Sequence, residues 1–456
     1  MSSISKFQLS CKFLLPILVV IPMAISCAPG GGSTNSTSAS ELSGTEPAKG
    51  KIEVVAFKGG YGIDFYQQAA KDFQAKNSGV SVTVTGDPHV WEQLRPRMVA
   101  GDPPDLMYPG WGLDHWKLAD EGQIYTLDKA LDSPAYDGQG TWGSTFEPSI
   151  LKLGQKDGKQ YVLPYFFNLQ GMWFDPGVFA KHGWKIPATF DGLLTLCNQI
   201  KAAGIAPLTF QGKYPYYLIE NMIIPWIQDI GGIEAVNDLQ NLTPGAWKSP
   251  AVLQAVTMID TLNKQGDFLK GSVGLTHTEA QTAFLQGRAA MIPCGTWLHS
   301  EMSATMPPGA QMQYFLPPMV TGGKGDPSAI AISIEPWMIP TKAKNPGGGI
   351  AFFKYLTSLD EAKKFVIQKA TLMSIKGSDQ VQLPPTLVEP ARLFHASKTI
   401  YSYIARQWYP AQETEIENAL TSMLNQELTP RQFCDRAEAA ADKTRNDATI
   451  TKHHLS

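Results

Sequence analysis

Residues 276–297 read Thr-His-Thr-Glu-Ala-Gln-Thr-Ala-Phe-Leu-Gln-Gly-Arg-Ala-Ala-Met-Ile-Pro-Cys-Gly-Thr-Trp. The spacing predicts a short helix with Ala280, Ala283 and Phe284 on one face, ended by Gly287 and Arg288. Ala289 to Ile292 is an apolar run short enough for a buried strand. Gly295-Thr296-Trp297 follows directly. An aromatic just past a buried strand faces whatever the sheet opens onto, and open α/β sheets bind ligands beyond their strand ends. Trp297 therefore reads either as core or as a flat platform in a cleft, and the rest of the chain favours the cleft.

Working outward, Lys51 to Phe57 reads as a buried strand and Lys58-Gly59-Gly60-Tyr61-Gly62 as the loop after it. Asp64 and Gln67 resemble a capping box. Phe65, Ala69 and Phe73 then recur at helical spacing, and Val80 to Thr85 alternates valine with polar residues. This is a βαβ unit, so the class is α/β and its first loop lies on the ligand side. The loop has neither GxGxxG nor a Walker spacing, so it is not a phosphate cradle. Leu106-Met107-Tyr108 is a third strand, followed by the loop Pro109 to Asp114. Further strands are expected at 158–165, 171–174, 207–210, 312–316 and 330–334. Thr189 caps a helix whose apolar face, Leu193, Leu196, Cys197 and Ile200, makes Cys197 core. Ser249-Pro250 starts another helix. A helix pair covers 348–357 and 360–369, and a helical tail runs over 411–444, broken near Thr429-Pro430.

The first 26 residues read as a signal peptide, with Lys6 and Lys12 ahead of the apolar run Phe13 to Ile25. Ala24 and Ser26 precede Cys27, which resembles a bacterial lipobox whose cysteine carries lipid; an ordinary signal peptide with a chance cysteine is the alternative. Residues 28–50 are rich in Gly, Ser, Thr and Pro and suit a flexible tether. Cys197, Cys294 and Cys434 show no metal-ligand spacing, so neither a zinc site nor a disulfide framework is expected, although one pair is permitted. A net charge of −3 with scattered basic residues excludes a nucleic-acid partner. The remaining body is long enough for two lobes. Its 11 Trp, 15 Tyr and 20 Phe supply flat apolar faces for sugar or peptide binding.

Taken in order, lipobox, tether, βαβ start, the Gly101 to Asp105 turn, the Gly158 to Tyr165 strand, Pro187-Ala188-Thr189-Phe190, Phe284 with Gly287-Arg288-Ala289-Ala290-Met291, and Ile339-Pro340 resemble the family 1 extracellular solute-binding proteins of bacterial ABC importers. Four stretches are similar to the N-acetylglucosamine/chitobiose-binding lipoproteins of that family: 57–62, 211–218, Leu275-Thr276-His277 and 292–298. Phe166-Phe167-Asn168 and Ser333 to Trp337 depart from that pattern. The resemblance implies a two-lobe periplasmic-binding-protein-like fold of type II, maltose-binding-protein-like, with a ligand cleft between the lobes. It implies lobe crossings near Tyr165, Pro317 and Gly377. Lobe 1 would be 51–165 and 318–376, lobe 2 would be 166–317 and 377–446, and 447–456 a tail.

It further implies a carbohydrate ligand, permease subunits as partners, a lipid-anchored extracytoplasmic location, a monomer, and no cofactor, metal or catalysis. A sugar needs flat aromatics for its C–H faces and planar polar groups for its hydroxyls. An unpaired buried polar group costs roughly 1–3 kcal/mol, which is the source of selectivity. By motif position, Trp297 is the stacking platform. Tyr214 and Tyr216 offer faces and hydroxyls, or form a rigid aromatic loop. Lys58 and Tyr61 come from the first βα loop; Lys58 reads equally as a solvated surface lysine. Trp111 and Asp114 follow the third strand, and Asp114 either accepts hydroxyls or caps the next helix. Asn168, Glu335 and Trp337 lie at strand ends. Trp408 reads as core and His277 as structural. A secreted glycoside hydrolase is the alternative in another class, with Asp114 and Glu335 as carboxylates roughly 5–9.5 Å apart. A lipid-tethered glycan sensor or adhesin is a third.

Overall fold

The computed structural model describes residues 41–455. Cys27 and the signal segment lie outside them. Strand β1 (Gly50–Phe57) buries Ile52, Val54, Val55 and Ala56. The helix Asp64–Lys76 covers it with Phe65, Tyr66, Ala69, Ala70 and Phe73. β2 (Val80–Asp87) pairs parallel with β1 from Gly50↔Val80 to Phe57↔Asp87. β3 (Leu106–Tyr108) joins the other side, giving the order β2-β1-β3. The expected βαβ unit is present, but its capping box is not. Ile63 is the N-cap and makes no side-chain cap bond. Asp64 already lies inside the helix and pairs with Lys369, while the Gln67 amide donates to the Val84 carbonyl.

A tight hairpin, β4 (Gln155–Lys156) and β5 (Lys159–Gln160), turns at Asp157-Gly158, both at positive φ. The fully buried β6 (Leu163–Leu169) then leads through Gly171 into β7 (Met172–Phe174). A Cβ on Gly171 would meet the Tyr314 hydroxyl at 2.3 Å, so this passage is sterically restricted to glycine. β7 lies in a sheet with β8 (Ala206–Leu208), β9 (Ala289–Pro293) and β10 (Gln313–Phe315), in the order β10-β7-β9-β8. β6 pairs antiparallel with β11 (Ile330–Trp337). β12 (Leu372–Met373) and β13 (Ile400–Tyr401) flank that pair. Beyond β11, Met338 exchanges two backbone hydrogen bonds with Met107 of β3. The chain is thus a two-lobe α/β fold, one lobe on the β2-β1-β3 sheet and the other on the sheet holding β9.

Residues 319–325 still run along the helix Ile224–Gly231, through the Asp229 carboxylate to Val320 N and the Asp229 carbonyl to Gly325 N. The helices Pro250–Lys264, Pro410–Leu424 and Pro430–Asn446 share one apolar core. Cys197, Cys294 and Cys434 are all free and buried. No helix among the described residues is long and apolar enough to cross a membrane. No group of three metal-ligating side chains occurs among them either.

Candidate ligand cleft

The strand ends of both lobes open onto one cavity of about 1850 Å³. Trp297 reaches it because the tail of β9 is pinned: Cys294 N donates to the Gly171 carbonyl at 2.9 Å and Thr296 N to the Leu169 carbonyl at 3.1 Å. The half-buried indole lies over Gly295, 6.0 Å from the Tyr217 ring. Tyr217 stacks on Tyr216 at 4.6 Å, Tyr214 meets Tyr216 edge-on at 6.2 Å, and Trp111 lies 6.5 Å from Tyr216. Trp91 backs Trp111 at 5.0 Å. The result is a continuous aromatic wall drawn from both lobes.

The floor is polar. The Tyr61 hydroxyl donates to Asn168 Oδ1 at 2.5 Å, and Thr296 Oγ1 donates to the same oxygen at 3.3 Å. Asn168 Nδ2 donates to Glu335 Oε1 at 3.0 Å, and the Tyr108 hydroxyl donates to Glu335 Oε2. Burial pushes the Glu335 carboxyl up to about 8, against the opposing pull of the bonds from Tyr108 and Asn168. Burial thus favours the neutral form of this carboxyl, which can donate as well as accept.

Of the residues singled out in the sequence, Tyr61, Trp111, Asn168, Tyr214, Tyr216, Trp297 and Glu335 line the cavity. Lys58 stands exposed at its edge with no side-chain hydrogen bond among the described residues. Two do not reach it. Asp114 caps the helix His115–Asp120, accepting from Trp116 N and Lys117 N, while its other oxygen faces His453 Nε2 at 3.3 Å. The carboxylate pair of the hydrolase reading is therefore not assembled. Trp337 is fully buried between Tyr108 and Phe353, at 5.4 and 5.3 Å. The register shift between Ile334 and Pro336 interrupts the alternation that brings Ser333 and Glu335 to the cavity. Trp408 is core, tilted against His453 at 4.8 Å, although it borders the cavity. His277 lines the cleft beside Tyr214 instead of serving only the interior.

Sequence reasoning missed Arg406 and Glu220. Arg406 Nε donates to Glu220 Oε1 at 3.0 Å, and its guanidinium lies between the Trp111 and Tyr216 rings. Burial raises the Glu220 carboxyl above its ordinary value, with Arg406 opposing. The only available signal was one arginine among the aromatics of 401–409.

A two-lobe α/β body with its aromatic and polar side chains converging between the lobes defines a ligand-capturing protein. Residues 59–363 match the profile described as bacterial extracellular solute-binding protein, and the chain belongs to that family. Over 415 residues it is 26% identical to the diacetylchitobiose binding protein NgcE of Streptomyces coelicolor, covering 90% of this chain and 88% of that one. It is 24% identical to the multiple sugar-binding protein of Streptococcus mutans, over 74% and 78% of the two chains. Among solved structures, a chitin oligosaccharide binding protein superposes with a TM-score of 0.74 at 20% identity, over 87% and 98%. RafE in complex with raffinose gives 0.71 at 22%, over 86% and 99%.

Proposed function

We propose that this protein is the substrate-binding component of a carbohydrate ABC importer, with a chitin-type sugar such as N-acetylglucosamine or diacetylchitobiose as its ligand. The observation that carries the reading is the aromatic wall from Trp111 through Tyr216 and Tyr217 to Trp297, facing the polar floor of Asn168 and Glu335. Rings take the C–H faces of a pyranose, and the floor takes its hydroxyls. The relatives named for diacetylchitobiose and chitin oligosaccharide favour the N-acetylated class. A glycan sensor would share these features; the importer reading rests on family membership.

The lobe boundaries belong to this reading. We take β6 and β11 as two of the crossings and assign the segment after Pro317, up to β11, to the second lobe, because it packs on Ile224–Gly231. A ligand touching both lobes binds the closed form better and shifts the hinge equilibrium toward it. Permease subunits then recognise the closed form. Lipidation at Cys27 would hold a monomeric body outside the membrane.

Thermal melting of the body lacking residues 1–27, against a panel of sugars, tests the proposal. Ligand that binds only the folded state raises the melting temperature, by about 2.7 kcal/mol of stabilisation at a hundredfold excess over Kd. A shift with diacetylchitobiose and no product formed is expected. A shift with a different sugar alone overturns the substrate assignment, and silence across the panel overturns the carbohydrate reading.

A further inference from the structure

Arg406 is set into the aromatic wall, not behind it. Its guanidinium carbon lies 3.8 Å from the centroid of Tyr216 and 4.6 Å from that of Trp111. The bond from Nε to Glu220 uses one of five N–H donors. Among the described residues the Nη groups have no hydrogen-bond partner, and 21% of the side-chain surface stays open in the cleft. The flanking rings fix the plane of the guanidinium, so the free donors form a rigid fork. Glu220 offsets the charge, so the fork is not matched to a ligand carboxylate. A neutral oxygen that only accepts is the group it fits.

On the reading that the cleft takes a chitin-type sugar, we infer that Arg406 is a specificity-determining residue: its Nη fork reads the acetamido carbonyl of a sugar seated against the Trp111–Tyr216 wall and rejects the deacetylated sugar. Deacetylation removes the carbonyl acceptor and leaves an ammonium. Donors then face donors, and the fork is left without an acceptor. Selectivity arises from that repulsive arrangement as much as from the attractive one. A site built to pair a polar group discriminates strongly against the analogue lacking it.

The test is calorimetric titration with diacetylchitobiose and with its fully deacetylated dimer, at mildly acidic pH where the amine is protonated. Wild type is expected to prefer the acetylated dimer by at least about a hundredfold. Arg406→Gln combined with Glu220→Gln replaces the ion pair with a neutral amide pair and leaves no orphaned carboxylate. In that double variant the preference should fall at least about tenfold. Arg406→Lys keeps a donor-only group and loses the fork, so it should weaken the acetylated dimer without gaining the deacetylated one. If wild type binds diacetylchitobiose and the double variant weakens both dimers equally, Arg406 only clamps the wall and the inference fails while the substrate reading stands. If wild type binds neither dimer, the substrate reading fails and the inference with it.

Discussion

A Cβ on Gly295 would stand 1.9 Å from Cζ3 of Trp297, so no side chain can coexist there with the observed indole. The need is for space, not for an unusual torsion. Gly295→Ala should therefore push the indole out of the cleft and weaken ligand binding at least about tenfold, with the melting temperature nearly unchanged. Trp297→Ala should weaken binding and shrink the ligand-induced change in tryptophan fluorescence. Unaltered titration curves in both variants would take Trp297 off the site. Trp297, Tyr214, Tyr216 and Asn168 are readable from residue type and from their motif positions in the family resemblance. Placement alone does not say which way a side chain turns. Asp114 turns back to cap its own helix, and Trp337 turns inward after a register shift that no local pattern announces. Arg406 is silent in sequence because Trp111 and Tyr216, the rings that give it a role, come from distant segments.

At the level of elements, the helix His277–Leu285 starts with a complete capping box. Thr276 Oγ1 accepts from Glu279 N at 3.3 Å, and Glu279 Oε2 accepts from Thr276 N at 2.8 Å. Thr276→Ala should lower stability by about 1 kcal/mol, seen as a lower urea midpoint with an unchanged slope. No change in the midpoint would mean that packing of Ala280, Ala283 and Phe284 alone holds the helix. Strands and amphipathic helices were legible because their apolar periodicity follows directly from burial on one face. Val82 and Val84 in β2 and Leu193 to Ile200 in the helix Phe190–Ala202 are such cases. The turn of π-helix at Ile219–Ile223, just after the aromatic stretch 211–217, was not. Pro225 has no N–H to give to residue 221, and the widened turn just before it accommodates that missing bond.

For the whole molecule, carboxyls raised by burial set a pH dependence, Glu335, Glu413 and Glu417 most strongly. Burial pushes Glu335 and Glu413 up to about 8 and Glu417 up to about 7, each from an ordinary value of 4.5. Between those limits the folded chain holds protons that the unfolded chain has released. Stability therefore falls as pH rises through that window. His115 acts in the opposite sense lower down. Burial drives its imidazole from 6.5 to about 4, with Asp114 opposing, so folding with a neutral His115 loses stability as pH drops below 6.5. The clean window for the carboxyls is thus from about pH 6.5 to 8. The melting temperature of ligand-free protein should decline across it, with each group contributing at most about 1.4 kcal/mol per pH unit. Glu335→Gln cannot ionise and should flatten that decline in part, leaving the slope from the other raised carboxyls, Glu413 and Glu417 among them. Identical slopes for wild type and variant would mean that Glu335 is already ionised in the folded protein at neutral pH, and Glu335 would then meet a ligand purely as an acceptor.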